Sequence, residues 1–377
     1  VYRAISGIAG IALIAWILVD TFEAVMLPRR VNRRFRPMRL FFESSWLPWS
    51  GVARRMKHGR RRENFLSHFG PLSMLVMLSM WAAGLIVGFA LIHWSLKTSI
   101  PGPAGWGAYL YLSGETFFTL GYGDLAPADP IGRALAVLEA GIGFGFLALV
   151  IGYLPVLYQS FSRREAMISR LDARGGSPPA AAEILVRRGQ HGPTALGEFL
   201  EEWEHWAAEL LENHLSFPVL SYYRSQHDNQ SWLAALTAIL DTCALMLSIL
   251  EPGDPYQARV TFAMARHAAV DLALVLNIPP VVPDEDRLSS AAFADLKARL
   301  RGAGIPVRDD RDATAKLSEL RGMYEPFVNG LAAYLLFALP PFIRDQPVDN
   351  WQSSAWMARV DGLVNLSSSG RGNDHFD

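Results

Sequence analysis

Cysteine is almost missing from this chain: Cys243 is the single one among 377 residues. A disulfide within the chain and a cysteine-based metal site are thereby excluded. Cys243 is expected to be a small buried apolar residue. Histidine offers no substitute. His191, His205, His214, His227 and His267 are scattered without a metal-ligand spacing. No catalytic constellation is legible, and neither an enzyme nor a bound cofactor is expected. Strand-like alternation is scarce, so the fold is expected to be all-α. A Gly-x-Gly-x-x-Gly turn is absent too, which removes the dinucleotide-binding fingerprint. Charge is missing over long stretches: Asn64–Leu96 contains no Asp, Glu, Lys or Arg.

Net charge is only −1, yet residues 28–65 carry twelve basic against two acidic side chains, a local net of +10. A block of that kind can bind nucleic acid. Between two apolar runs it marks the cytoplasmic side of a membrane instead, and no nucleic-acid partner is expected. Residues 1–27 hold a first spanning helix, with an apolar run over Ile5–Val19. A cleaved signal is not expected, because no small-residue cleavage site follows and Arg29-Arg30 come next. An initiator or a few upstream residues are expected before Val1. Asp20 and Glu23 are read as solvated at the inner interface. Residues 28–65 form a cytoplasmic or interfacial linker. Its aromatic stretch Leu40–Trp49 is expected to lie on the inner leaflet, with rings at headgroup level and arginines on anionic lipids.

Phe69–Trp94 exceeds the ~20 residues that a bilayer requires and reads as a second span. Ile131–Ser160 is a third, closed by Arg163 and Arg164. Three spans leave the N-terminus outside and the C-terminal region in the cytosol, in keeping with the excess of positive charge inside. Residues 166–182 read as a linker, with Gly175, Gly176, Pro178 and Pro179 near its end. Residues 183–345 read as a helical cytoplasmic domain, with Leu196, Phe199, Leu200, Trp203, Trp206 and Leu210 at helix spacing. The apolar runs 231–250 and 324–342 are expected to be buried soluble helices rather than further spans, since Asp241 in mid-span would be costly in lipid. Residues 346–377 read as a loose tail.

Between the second and third spans, Trp106–Phe118 is too short to cross a membrane and runs directly into Thr119-Leu120-Gly121-Tyr122-Gly123-Asp124. Glycines accept backbone angles that other residues resist. Alternating them with bulky residues lets successive carbonyls point one way, while Leu120 and Tyr122 brace the strand from behind. Rings of such carbonyls can replace the hydration shell of a cation, and the Thr119 hydroxyl can add a further ring. A chain with one such string needs several copies around an axis to close the ring.

This string, set between two spans, resembles the signature of the tetrameric potassium channels over roughly residues 66–162. The resemblance implies a pore module at residues 66–165 with a re-entrant pore helix over Trp106–Phe118, in a homotetramer passing potassium. The carbonyls of Thr119, Leu120, Gly121 and Tyr122 would hold the K+ ions. It also implies filter support from Glu115 paired with Asp124, and from Tyr111, which stands where some members have Trp. In the family the inner helix bends near a glycine about twenty residues after the filter, which points to Gly143 as hinge. Leu154, Val156, Leu157 and Phe161 are candidates for a narrow inner gate by dewetting. The sequence departs from the family at Phe118, commonly a second Thr, and at Tyr111-Leu112, where many bacterial members carry an aromatic pair.

Spans without an arginine at every third position argue against a voltage sensor. The C-terminal region resembles neither the nucleotide-binding regulator nor the β-rich domain attached to other members. The expectation is a multi-pass potassium-selective channel of a prokaryotic plasma membrane, gated at the inner helix by a stimulus the sequence does not name. The alternative is a non-conducting membrane scaffold or sensor that keeps the channel-like fold. A transporter subunit fits less well, because such proteins carry four pore-like repeats in one chain.

Overall fold

In the computed structural model, residues 2–25, 37–103, 105–189, 191–225, 230–250, 255–283, 285–308 and 311–344 are described. The expected tail at 346–377 and residues 28–36 of the basic stretch lie outside them. Among the described residues the secondary structure is helical, apart from one isolated bridge between Leu250 and Val307. Three helices among the described residues are long and apolar enough to cross a membrane: α1 (Tyr2–Val25), α4 (Phe69–Leu96) and α6 (Pro130–Gly175). Between them lie α2 (Pro37–Arg55), α3 (Arg60–Ser67) and the short α5 (Trp106–Phe117). The protein is an all-α, multi-pass membrane protein with a helical region outside the spans. It divides into two compact units, Val1–Ser162 with Glu212–Arg224, and Arg163–Leu211 with Ser225–Asp377.

In the first unit α1 lies along α4. A side chain at Gly10 would strike the Gly88 carbonyl, and one at Gly88 would strike Ile14. Small residues let helices approach this closely where no hydrophobic effect drives them together. Asp20 is not solvated as the sequence suggested. It is 4% exposed and accepts a hydrogen bond from Trp81 Nε1 at 2.9 Å. A carboxylate facing an apolar helix is tolerable only with such a donor.

The aromatic stretch in α2 also differs from expectation. Its rings turn inward rather than toward headgroups. Trp46 packs on Phe69 with centroids 4.8 Å apart, Trp49 stacks on Phe65 at 4.5 Å, and Phe42 stacks on Tyr222 of the 3-10 turn Pro218–Tyr222 at 5.7 Å. Leu40 and Leu47 face outward instead. An amphipathic aromatic pattern has a buried face, and sequence alone does not say whether lipid or protein covers it.

Helix α6 does not end at Arg163-Arg164. It contains Pro155 and runs on to Gly175, so residues 166–175 of the expected linker are helical. No helix-breaking residue intervenes until Gly175 and Gly176, the second at φ 79°, followed by Pro178 and Pro179. A glycine in the left-handed region followed by prolines is a sufficient stop. Along α6, Val137, Phe144, Ile151 and Tyr158 stand seven residues apart and form an exposed apolar stripe, with Phe144 69% exposed.

The second unit contains α7 (Ala181–Gly189), most of α8 (Pro193–Ser216), α9 (Trp232–Ser248), α10 (Tyr256–Val275), α11 (Ser290–Gly302), α12 (Arg311–Gly322) and α13 (Glu325–Leu335). Helix α9 is its centre and packs on α7, α10, α12 and α13. Its 17 residues, and the 11 of α13, fall short of the ~20 a bilayer needs. Both pack against other helices of this unit. The Asp241 carboxylate is fully buried and accepts from Arg287 Nη2 at 2.8 Å and Nη1 at 3.1 Å, and from the Tyr324 hydroxyl. Trp203, Trp206 and Cys243 are core residues.

Candidate functional site

Helix α5 is framed on both sides. Its first turn follows Gly105 in extended conformation, and Tyr109 donates its hydroxyl to the Thr98 carbonyl at 3.0 Å. At its far end the departing chain folds back. The amides of Phe118, Thr119 and Leu120 donate to the carbonyls of Gly114, Thr116 and Glu115 at 3.1, 3.0 and 2.9 Å. The carbonyl end of the helix, which carries the negative pole of its dipole, therefore adjoins the start of the string.

Within the string the sign of φ alternates. Thr119, Gly121 and Gly123 have φ of 55°, 67° and 77°, while Leu120 and Tyr122 stay on the ordinary side. For a β-branched residue such as Thr119 this is a true outlier, and strain of that kind collects at functional sites. The string is exposed throughout, with Leu120 at 54% and Tyr122 at 71%.

Glu115 is buried beneath the string, and its Oε1 accepts the Gly123 N–H at 3.0 Å. The resemblance implied a pairing with Asp124. The structure gives Glu115 to the backbone instead, and Asp124 accepts from the Tyr111 hydroxyl at 3.4 Å. Of the three expected supports, Glu115 thus contacts the backbone of the string, and Tyr111 and Asp124 contact each other. The sequence reading also missed a buried polar cluster behind α5. Glu139 of α6 accepts from Ser113 Oγ of α5 and lies 3.5 Å from His93 Nε2 of α4. His93 Nδ1 is 2.9 Å from Thr98 Oγ1, and Ser113 also reaches the Ile86 carbonyl at 2.7 Å. The available signal was an acid within an apolar span, which is a functional hypothesis by default.

Gly143 sits where α6 meets the end of α5. A Cβ there would strike the Phe117 carbonyl oxygen, and α6 continues through this point as helix. Close packing is therefore visible at Gly143. The four gate candidates separate. Leu157 and Phe161 are buried, the latter against Tyr223 at 5.5 Å between centroids. Val156 is exposed and Leu154 is half-buried.

A family described as ion channel matches residues 76–159, which take in α5, the string and Gly143. Protein LctB of Geobacillus stearothermophilus is 32% identical over 98 residues, covering 22% of this chain and 72% of that protein. The chain belongs to this ion channel family. Protein LctB of Bacillus caldotenax matches this chain at the same identity, over the same shares of both chains. The uncharacterized membrane protein YdjJ of Bacillus subtilis (strain 168) is 27% identical over 221 residues, 57% of this chain. The chain spans 61% of the length of that relative. No solved structure matches this ion channel family member.

Proposed function

We propose that the protein is a potassium-selective channel in which four copies surround one axis and each contributes residues 119–123. The observation that carries this reading is the alternation of φ at Thr119, Gly121 and Gly123, with Gly123 held by Glu115. Backbone that alternates in this way can offer the carbonyls of Thr119 through Tyr122 to one side, as replacements for a hydration shell. The exposed string and the exposed apolar stripe on α6 suit surfaces that other copies and lipid cover. In this reading α5 is re-entrant, and the N-terminus is outside with the helical region in the cytosol. The basic residues of 28–65 meet anionic lipid, and Gly143 is a packing point more than a hinge. Val156 is the gate candidate on an open face.

The test is cation flux from vesicles containing the purified protein. Potassium and rubidium efflux should exceed sodium efflux by at least tenfold, and Gly121→Ala or Gly123→Ala should abolish it.

A second reading is a non-conducting scaffold or sensor with a channel-like fold. The relatives taken alone favour it, since their names state no permeant ion. Phe118 in place of the usual second threonine agrees. Intact tetramers that pass no ion at any pH, ionic composition or membrane tension would establish it.

A further inference from the structure

The second unit holds a cavity of about 420 Å³ that the proposed channel does not use. That volume lies within the ~300–1,000 Å³ typical of small-molecule sites. Its floor is apolar, built from Met246 and Leu247 of α9, Phe262 of α10, and Leu320 and Met323 at the end of α12. Its wall is cationic. Arg259 and Arg266 of α10, Lys316 of α12 and Arg308 beside the Leu250–Val307 bridge all line it, and no carboxylate does among the described residues. On α10 the order Arg259, Phe262, Ala263, Arg266 is a single helix face, so two guanidinium groups bracket the apolar floor.

Elsewhere in this unit arginines find carboxylates. Arg170 and Arg174 share Glu202, Arg287 holds Asp241, Arg299 meets Asp295, and Arg321 meets Asp286 and Glu325. Arg259, Arg266 and Lys316 have no ion pair among the described residues. Like charges gathered around one apolar cavity raise the local concentration of anions there. Guanidinium groups suit a carboxylate or phosphate head. The lining offers one aromatic ring and no Asn, Gln, Ser or Thr side chain to read a base, which argues against a nucleotide. Flexible methionines suit an aliphatic body.

We propose that this cavity binds an amphipathic organic anion: an aliphatic chain of medium length on the Met246–Phe262–Met323 floor, with its carboxylate or phosphate head between Arg259, Arg266 and Lys316. The binding does not require that the protein conduct ions, so it can fail or hold independently of the channel reading.

The test is photolabelling of the full chain in lipid nanodiscs with a diazirine analogue of decanoate, read by mass spectrometry of the labelled peptides. Labelling should fall on the peptides of Met246, Phe262 and Met323. It should be competed by decanoate or decyl phosphate, the stronger of the two identifying the head group, and not by decanol or butyrate. The double variant Arg259→Glu/Lys316→Glu changes exposed residues and should label at least tenfold less, at an unchanged melting temperature. Labelling confined to the spans would overturn the proposal. So would competition by decanol equal to that by decanoate, displacement by an adenine nucleotide instead, or undiminished labelling of the double variant.

Discussion

Nε2 of His93 lies 3.5 Å from Oε2 of Glu139, and solvent reaches neither side chain. Ser113 closes the cluster from α5 by donating to the other Glu139 oxygen. Three helices are therefore joined by one buried carboxylate. Removing one partner of a buried polar contact costs about 1–3 kcal/mol, because the group left behind stays desolvated and unsatisfied. Glu139→Ala should lower the melting temperature in detergent strongly. Glu139→Gln keeps an acceptor for Ser113 and should cost less than half as much. An alanine variant as stable as the parent would remove the cluster from any structural role.

Gly143 separates two readings that sequence alone leaves open. As a hinge it would tolerate alanine in the folded state and change only opening. As a packing point it would not, because a Cβ there strikes the Phe117 backbone carbonyl. Overpacking of this kind costs about 1–3 kcal/mol, and here it bears on the turn from which residues 118–120 emerge. Gly143→Ala should reduce both the melting temperature and the yield of assembled protein. Gly141→Ala, where nothing lies within 4 Å in the same chain, should do neither. Normal stability with altered flux in Gly143→Ala would restore the hinge.

Much of the membrane unit was legible because its signals are local. Asn64–Leu96 without charge is a span by composition, and Thr119–Asp124 is a string whose glycines demand special backbone. Asp241 was legible as a reason against a fourth span, since one acid in an apolar run is costly in lipid. Its partner Arg287 was not, because the pairing joins α9 to the segment before α11 and depends on tertiary packing. The His93–Ser113–Glu139 cluster was hidden for the same reason, each member coming from a different helix. The α2 rings were misread because periodicity identifies an apolar face without identifying what covers it.

Arg287 is tied to the core of the second unit. Burial opposes its charge, but Asp241, Tyr324 and Glu325 outweigh burial and push its pKa up. Its guanidinium also lies over the Phe342 ring at 4.8 Å. Asp241→Asn leaves a buried cation with half its partner, and Arg287→Met leaves a buried carboxylate. Each should destabilise by about 3–5 kcal/mol. The double variant Asp241→Asn/Arg287→Met should be less destabilised than the sum of the two, a departure from additivity that chemical denaturation measures directly. Simple additivity would mean that the two side chains do not act as a pair.

Asp286 gives a pH dependence. Burial works against its charge, but Arg321, the Leu288 N–H and Arg287 outweigh that and hold its pKa below the usual carboxylate range. A depressed folded-state value contributes stability above the unfolded pKa of about 3.9, and that contribution is lost as pH falls through the folded value. The melting temperature of the second unit should therefore drop on going from about pH 5 to pH 3. Asp286→Asn should be less stable than the parent at neutral pH and should approach it at the acid end. A constant gap between the two across this range would show that Asp286 carries no linked stability.

Glu115 connects the helix α5 to the string, and its role can be read by comparing two substitutions. Its Oε1 accepts the Gly123 N–H, and it lies buried beneath residues that are themselves exposed. Glutamine keeps a carbonyl acceptor for that N–H and removes the charge. Alanine removes both and leaves the Gly123 N–H without its Glu115 acceptor. If backbone positioning is what Glu115 supplies, Glu115→Gln should keep most of the potassium-over-sodium preference in vesicle flux. Glu115→Ala should lose at least a tenfold share of it, about 1.4 kcal/mol of discrimination. If the negative charge is what matters, glutamine and alanine should fail alike. Equal selectivity in all three proteins would detach Glu115 from the string altogether.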